Sequence, residues 1–206
     1  MPRGRWTFEA GRVCNVRMDI PHLEIEQLPA ELAAALQPRV QRLGYLGEFF
    51  KCAAHQPKAL LSFMAFTDHL KEALPDNLTE VVALSVAGWM GNVYERNQHE
   101  RLCRTLGFTD DWIRAVNGSH PAEQARLGHT ERLVQELTLA LLANRGQGVD
   151  RQLAGVVTAI GAAQAIAVLM LVGRYVTHAL VVNALDLQPP VSSIFDADKA
   201  ITNERR

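Results

Sequence analysis

Apolar positions recur three and four residues apart from Pro29 to Leu185, and no segment of useful length alternates with period two. Pro29-Ala30-Glu31 opens a helix with Leu32, Leu36, Val40 and Leu43 on one face, and Gly44 closes it. Pro38 lies inside that pattern and predicts a kink or a restart near Gln37. A second helix passes through Leu46, Phe49, Phe50 and Ala53 to His55. A third starts at Pro57 and runs through Leu60, Met64, Phe66 and Leu70 towards Pro75. Asn77 and Thr79-Glu80 open a fourth, which carries Val81, Val82, Leu84 and Val86 to Met90. Gly91 separates it from a fifth over 92–106, closed by Gly107. Thr109-Asp110-Asp111 has cap character ahead of Trp112, Ile113 and Val116. After a loop at 117–121 comes a long amphipathic helix over 122–144, broken by Gly146-Gln147-Gly148. The pattern is that of an all-α domain with short connections.

The last helical stretch, from Asp150 to about Leu185, tests whether the chain is soluble. Its part from Leu153 to Gly173 is uncharged and about as long as a membrane span. Gly161 and Gln164 within it predict a break between two shorter core helices, so no membrane partner is expected. The later helix is apolar around most of its circumference, more than one small domain readily covers. A homo-oligomer, whether dimer, trimer or hexamer, is expected to bury the surplus. The organisation read from these signals is an irregular arm over 1–25, a helical domain over 26–188, and a loose Pro/Ser/Asp-rich tail over 189–206.

Charge narrows the partners. Lys and Arg total 21 against 22 Asp and Glu, which gives no global pull towards nucleic acid or an anionic membrane. The three cysteines, Cys14, Cys52 and Cys103, form no CxxC pair, so a reducing cytoplasm is the simpler expectation. The N-terminal MPRGRWTFEAGRVC has no apolar run typical of a secretory signal. No long Gly-rich phosphate loop appears, and no HxxxH or HxH word supports a metal, so neither cofactor nor metal is expected.

Chemistry concentrates in residues 78–108, LTEVVALSVAGWMGNVYERNQHERLCRTLGF. Asn92, Glu95 and His99 share one helix face, with Glu95 and His99 as direct neighbours. A carboxylate beside an imidazole is a workable proton-transfer pair near neutral pH. Glu80 can join them only if the chain reverses near Gly91. On a straight helix Glu80 and His99 would stand roughly 28 Å apart. The same residues have plainer readings. Asn92 with Glu95 resembles a capping box, Glu80 suits the first turn of a helix, and Glu95 with His99 could be a solvent-facing pair.

Around this core, Tyr94 could donate its hydroxyl to a substrate oxygen or simply pack, and Arg96 could grip a substrate carboxylate or be a solvated surface cation. Trp89 and Met90 could wall a pocket or fill the core. Arg174, Tyr175 and His178 are polar interruptions of the late apolar helix. His178 could face the same cavity as His99 or satisfy a local partner. His55 reads as a helix-end residue.

The order LPAELAAALQPRVQRLGYLGEFFKCAAHQPKALLSFMAF, then the Glu80 to His99 segment, then AIAVLMLVGRYVTHALVVNAL resembles the carboxymuconolactone decarboxylase / AhpD-like family over roughly residues 28–186. The resemblance implies an all-helical, oligomeric fold whose central helical hairpin carries the site. In the peroxidase branch a Glu precedes a CxxC, and a His follows four residues after the second Cys. Those positions fall here on Glu80, Asn92, Glu95 and His99, so the cysteine chemistry is missing and alkylhydroperoxidase activity is not expected. The decarboxylase branch is similar in having a Glu four residues before a His, as Glu95 and His99 stand, although Arg96 takes a place where an aromatic residue is common. This resemblance implies cofactor-free acid/base work on a small unsaturated organic acid or lactone. His99, Glu95 and Glu80 would be catalytic, and Asn92, Tyr94, Arg96 and His178 would contact substrate. A non-catalytic, small-molecule-binding oligomer is the alternative.

Overall fold

The computed structural model describes residues 20–118 and 126–196. In chain order its helices are α1 (Ala30–Leu43), α2 (Glu48–Ala53), α3 (Pro57–Glu72), α4 (Asp76–Trp89), α5 (Val93–Thr105), α6 (Asp110–Asn117), α7 (His129–Asn144) and α8 (Asp150–Ala184). No strand occurs among the described residues. The helix expected over 122–144 begins only at His129, after Gly128 as its N-cap; residues 126–128 are not helical, and 122–125 lie outside the described residues. The helix does not restart near Gln37, because α1 runs through Pro38 without interruption. The carbonyl that Pro38 cannot engage belongs to Ala34, and both residues are exposed, so water can take the missing hydrogen bond.

Helix α4 is the axis of the fold. Every residue from Leu78 to Ala87 is buried, because α5, α6, α7 and α8 pack around it. One apolar core joins α4, α6, α7 and α8 through Val81, Leu84, Ile113, Leu137, Val168 and Leu171. A second joins α1, α2 and α3 through Leu32, Leu36, Phe49, Leu60 and Met64. Tyr175 belongs to the first and Tyr94 to the second. The buried polar residues described below lie between these two rings.

The turn from α4 to α5 explains how the hairpin closes. Gly91 adopts φ 65°, a left-handed conformation that costs a β-carbon-bearing residue energy. The Gly91 amide bonds to the Gly88 carbonyl and the Asn92 amide to the Ala87 carbonyl, at 3.3 and 2.8 Å, which is the Schellman pattern. The Asn92 side chain then caps α5, its Oδ1 accepting from the Glu95 amide at 3.1 Å. One residue ends α4 and the next starts α5, so the two helices run back along each other.

Helix α8 breaks at Gly161, with φ 80° and ψ 164°, inside the stretch that sequence alone marks as membrane-length. By length and composition α8 could still cross a membrane. Its inner face carries Arg174, Tyr175 and His178 towards α4 and α5. The segment after α8 lies along α5 up to the last described residue. Asn97 donates to the Val191 carbonyl, Arg101 to that of Ser192, and the buried Glu100 accepts from the Ser193 hydroxyl at 2.6 Å. The tail expected to be loose is therefore docked as far as residue 196. At the other end, the Leu23 amide bonds to the Lys51 carbonyl and His55 Nε2 bonds to the Pro21 carbonyl. Residues 1–19 of the expected arm lie outside the described ones.

Candidate active site

The reversal at Gly91 brings Glu80 of α4 against His99 of α5. His99 Nδ1 donates to Glu80 Oε2 at 2.5 Å, and its Nε2 faces Glu95 Oε1 at a looser 3.4 Å. Glu95 also receives Arg174 Nη1 on Oε1 at 2.9 Å and His178 Nε2 on Oε2 at 3.0 Å. Asn92 Nδ2 lies 3.3 Å from His178 Nδ1 and donates to it. The result is one hydrogen-bonded chain from Glu80 through His99, Glu95 and His178 to Asn92. All five residues are buried.

Charge in this chain is asymmetric. Burial opposes the His99 cation, but Glu80 and then Glu95 outweigh it and lift its pKa above the ordinary histidine value. Burial dominates at His178, and with the charges of Arg174 and His99 beside it the pKa is lowered despite Glu95. His99 therefore favours its charged form more than a free histidine does, whereas His178 favours its neutral form. Burial likewise disfavours ionised Glu95, yet His178, His99 and Arg174 hold its carboxyl well below the usual range. Glu80 is also lowered, since the His99 charge and hydrogen bond exceed the cost of its burial. The two carboxylates thus face the Arg174 guanidinium and a histidine biased towards its cation, which offsets their charge inside the fold.

Arg174 is fixed from several sides. Its Nε donates to Thr67 Oγ1 at 3.0 Å, and that hydroxyl donates to the Phe63 carbonyl at 2.7 Å. The guanidinium lies over the rings of Tyr175 and Phe63, at 4.3 and 5.0 Å. Phe49 packs against His178 with the rings tilted by 34° and centroids 4.2 Å apart. Tyr94 accepts the Phe49 amide on its hydroxyl at 3.4 Å, and burial pushes its own ionisation up. Gly47 makes room for that hydroxyl, because a β-carbon there would stand 2.9 Å from it.

The centre opens on a cavity of about 700 Å³. Glu95, His99, Arg174 and His178 reach it from below, Leu43, Phe49, Phe50 and Leu102 give it apolar walls, and Arg39, Arg42, Lys71 and Arg101 also line it. A volume of this size admits a small organic molecule.

Of the residues expected to carry chemistry, Glu95, His99, Tyr94 and His178 meet at this cavity, with Glu80 and Asn92 holding them from behind. Arg96 is a correction. Its Nε lies 3.7 Å from Glu100 and it does not line the cavity, because a residue one position after Glu95 points to another side of α5. Arg174 takes the central cationic place instead. The signal for it was a lone cation in an uncharged run four residues before His178. Thr67, Phe49, Arg42 and Lys71 gave no such signal, since they reach the site only through the packing of α1, α2 and α3. Trp89 is exposed rather than part of a wall. Every ring nitrogen of His99 and His178 already has a side-chain partner, so no free imidazole lone pair is offered to a metal. Cys103 is buried with Sγ 3.6 Å from Glu80 Oε2, and burial and that carboxylate raise its pKa, so it is a thiol rather than a thiolate.

Fold and site together define an all-helical protein of the AhpD-like fold, with a buried histidine–carboxylate centre at its central hairpin. Two solved structures share this architecture. One is an uncharacterized peroxidase-related protein from Ralstonia eutropha JMP134 described as an alkylhydroperoxidase AhpD core, with a TM-score of 0.72 at 15% identity over 84% of this chain and 91% of that one. The other is a variant of the debrominase Bmp8 in complex with 2,3,4-tribromopyrrole, with a TM-score of 0.64 at 15% identity over 87% of this chain and 95% of that one. No family model and no curated protein sequence matches the chain.

Proposed function

We propose that this protein is a cofactor-independent acid/base enzyme, a lyase or isomerase acting on a small unsaturated or aromatic-derived organic acid or lactone. The observation that carries this reading is the opening of a buried, charge-matched histidine–carboxylate pair onto a cavity with apolar walls. A group kept only to cap helices would gain nothing from such access. The debrominase structure, which holds a halogenated pyrrole, adds that this fold accommodates a small ring compound in a relative.

His99 is the acid. Its Nδ1 proton is tied tightly to Glu80, whereas the Nε2 proton is loosely held towards Glu95 and faces the cavity. In a decarboxylation the C–C bond electrons stay on the substrate carbon, CO2 leaves, and the Nε2 proton is delivered to that carbon. The neutral imidazole then regains a proton from water. In an isomerisation the neutral form of His99 accepts a proton from one carbon and returns it to another, with Glu95 orienting the ring. Glu80 favours the His99 cation, and Arg174 with His178 fixes the Glu95 carboxylate.

The absent cysteine pair and the raised pKa of Cys103 argue against peroxide reduction, even though a relative is described as peroxidase-related. Small unsaturated acids and lactones incubated with the protein in D2O should show solvent deuterium on carbon by NMR. His99→Gln should lower that rate by about a hundredfold or more while helicity stays unchanged. Undiminished deuterium incorporation in His99→Gln would remove His99 from the mechanism. A non-catalytic binding protein would show ligand shifts with no exchange in any variant.

A further inference from the structure

We infer that Arg42, Lys71 and Arg101 form an anion-binding subsite in the cavity, which takes a carboxylate or phosphate-type group remote from the reacting carbon. This rests on the cavity being the substrate site, as proposed above.

The ion pairs of the cavity leave these three cations over. Arg39 Nη2 is held by both oxygens of Asp68, at 2.6 and 2.7 Å. Arg174 is neutralised by Glu95, and His99 by Glu80. Arg42 and Lys71 form no ion pair among the described residues, and Arg101 donates only to the neutral carbonyl and hydroxyl of Ser192. The three come from α1, α3 and α5, yet line one cavity. Arg42 and Arg101 both act on Tyr45, whose hydroxyl donates to the cavity residue Gln98 at 3.2 Å, and the Lys71 charge reaches inward to Glu80.

A cavity with a neutral floor and a cationic rim attracts anions and orients them. The apolar stretch of Leu43, Phe49, Phe50 and Leu102 also lines it, and suits the carbon body of the ligand. The volume of about 700 Å³ is generous for a monocarboxylic acid of a few carbons and leaves room for a longer, two-ended molecule. Arg42 and Arg101 offer planar donor sets for a carboxylate or phosphate, and Lys71 adds a point charge.

The test is direct binding by calorimetry to the full chain at low salt, with hexanoate, adipate and 6-phosphonohexanoate as probes. Adipate and 6-phosphonohexanoate should bind about tenfold or more tightly than hexanoate. The double variant Arg42→Gln/Lys71→Gln should weaken adipate and 6-phosphonohexanoate by about tenfold or more and remove their advantage over hexanoate. Arg42→Lys with Lys71 intact should restore part of the difference. Preference for the phosphonate over adipate supports the subsite and names its group as phosphate-like, and the reverse order names a carboxylate. Equal affinities for all three probes, no binding of any at millimolar concentration, or full retention of the difference in the double variant would overturn the proposal. The failures are separable. Loss of deuterium exchange in the wild type with this binding pattern intact would remove the reaction and leave the subsite. Exchange without any preference for two-ended probes would do the opposite.

Discussion

At His99 a tight contact and a loose one have different consequences. The 2.5 Å bond to Glu80 fixes the ring and the charge, and the 3.4 Å approach to Glu95 leaves a proton to deliver. Glu80→Gln would keep an acceptor for Nδ1 but remove its charge. The His99 pKa should fall, so the alkaline limb of the activity profile should move to lower pH, measured as exchange rate against pH. Stability follows the same signs. A raised His99 pKa contributes stability fully present below the unfolded value of about 6.5 and lost as pH rises through the folded value. The lowered Glu80 pKa contributes stability present above its unfolded value and lost as pH falls through the folded one. Glu80→Gln should therefore cost about 3 kcal/mol near neutrality, at the lower end for a broken buried pair because Glu95 remains. Urea denaturation at several pH values would measure it, and an unshifted pH profile would show that Glu80 does not tune His99.

At the scale of elements, the hairpin of α4 and α5 depends on the single turn at Gly91. No atom lies within 4 Å of where a β-carbon would stand, so Gly91→Ala meets no clash and isolates the backbone term. With φ at 65° that term is about 1–2 kcal/mol. Denaturation should show this loss with the native helicity retained. Asn92 links this turn to the site, since its side chain caps α5 and donates to His178. Asn92 caps with Oδ1 and serves the site with Nδ2, whereas Glu95 contributes only its backbone amide to the cap and its carboxylate to Arg174 and His178, so the full capping box does not form.

Across the whole molecule, α8 leaves a surface that its own domain does not cover. Ala163, Ile166, Met170, Gly173, Thr177, Leu180 and Ala184 are all exposed and alternate by three and four residues without a charge. Ile166 and Leu180 expose 54% and 58% of their surface. This spacing is that of a helix–helix seam. We expect a second copy to cover it, with sedimentation at micromolar concentration giving a dimer or larger species. Ile166→Glu with Leu180→Glu should shift that species to monomer. A wild-type monomer would contradict the expectation. The docked tail at 191–196 lies along α5 and adds a polar clamp through Glu100 and Arg101.

Helical class, most helix ends, the break at Gly161 and the shared face of Asn92, Glu95 and His99 are local properties. They follow from spacing three and four residues apart and from glycine and proline, and so they are determined by the sequence alone. The persistence of α1 through Pro38 was decided by which side of the helix faces water. Arg174 stood out in the sequence only as a polar interruption of an apolar helix, and packing alone turned it onto Glu95 and Arg96 towards Glu100. Tertiary structure also set the charge states. A histidine buried between two carboxylates and another beside an arginine have opposite preferences for a proton, and that difference arises only when α4, α5 and α8 are brought together.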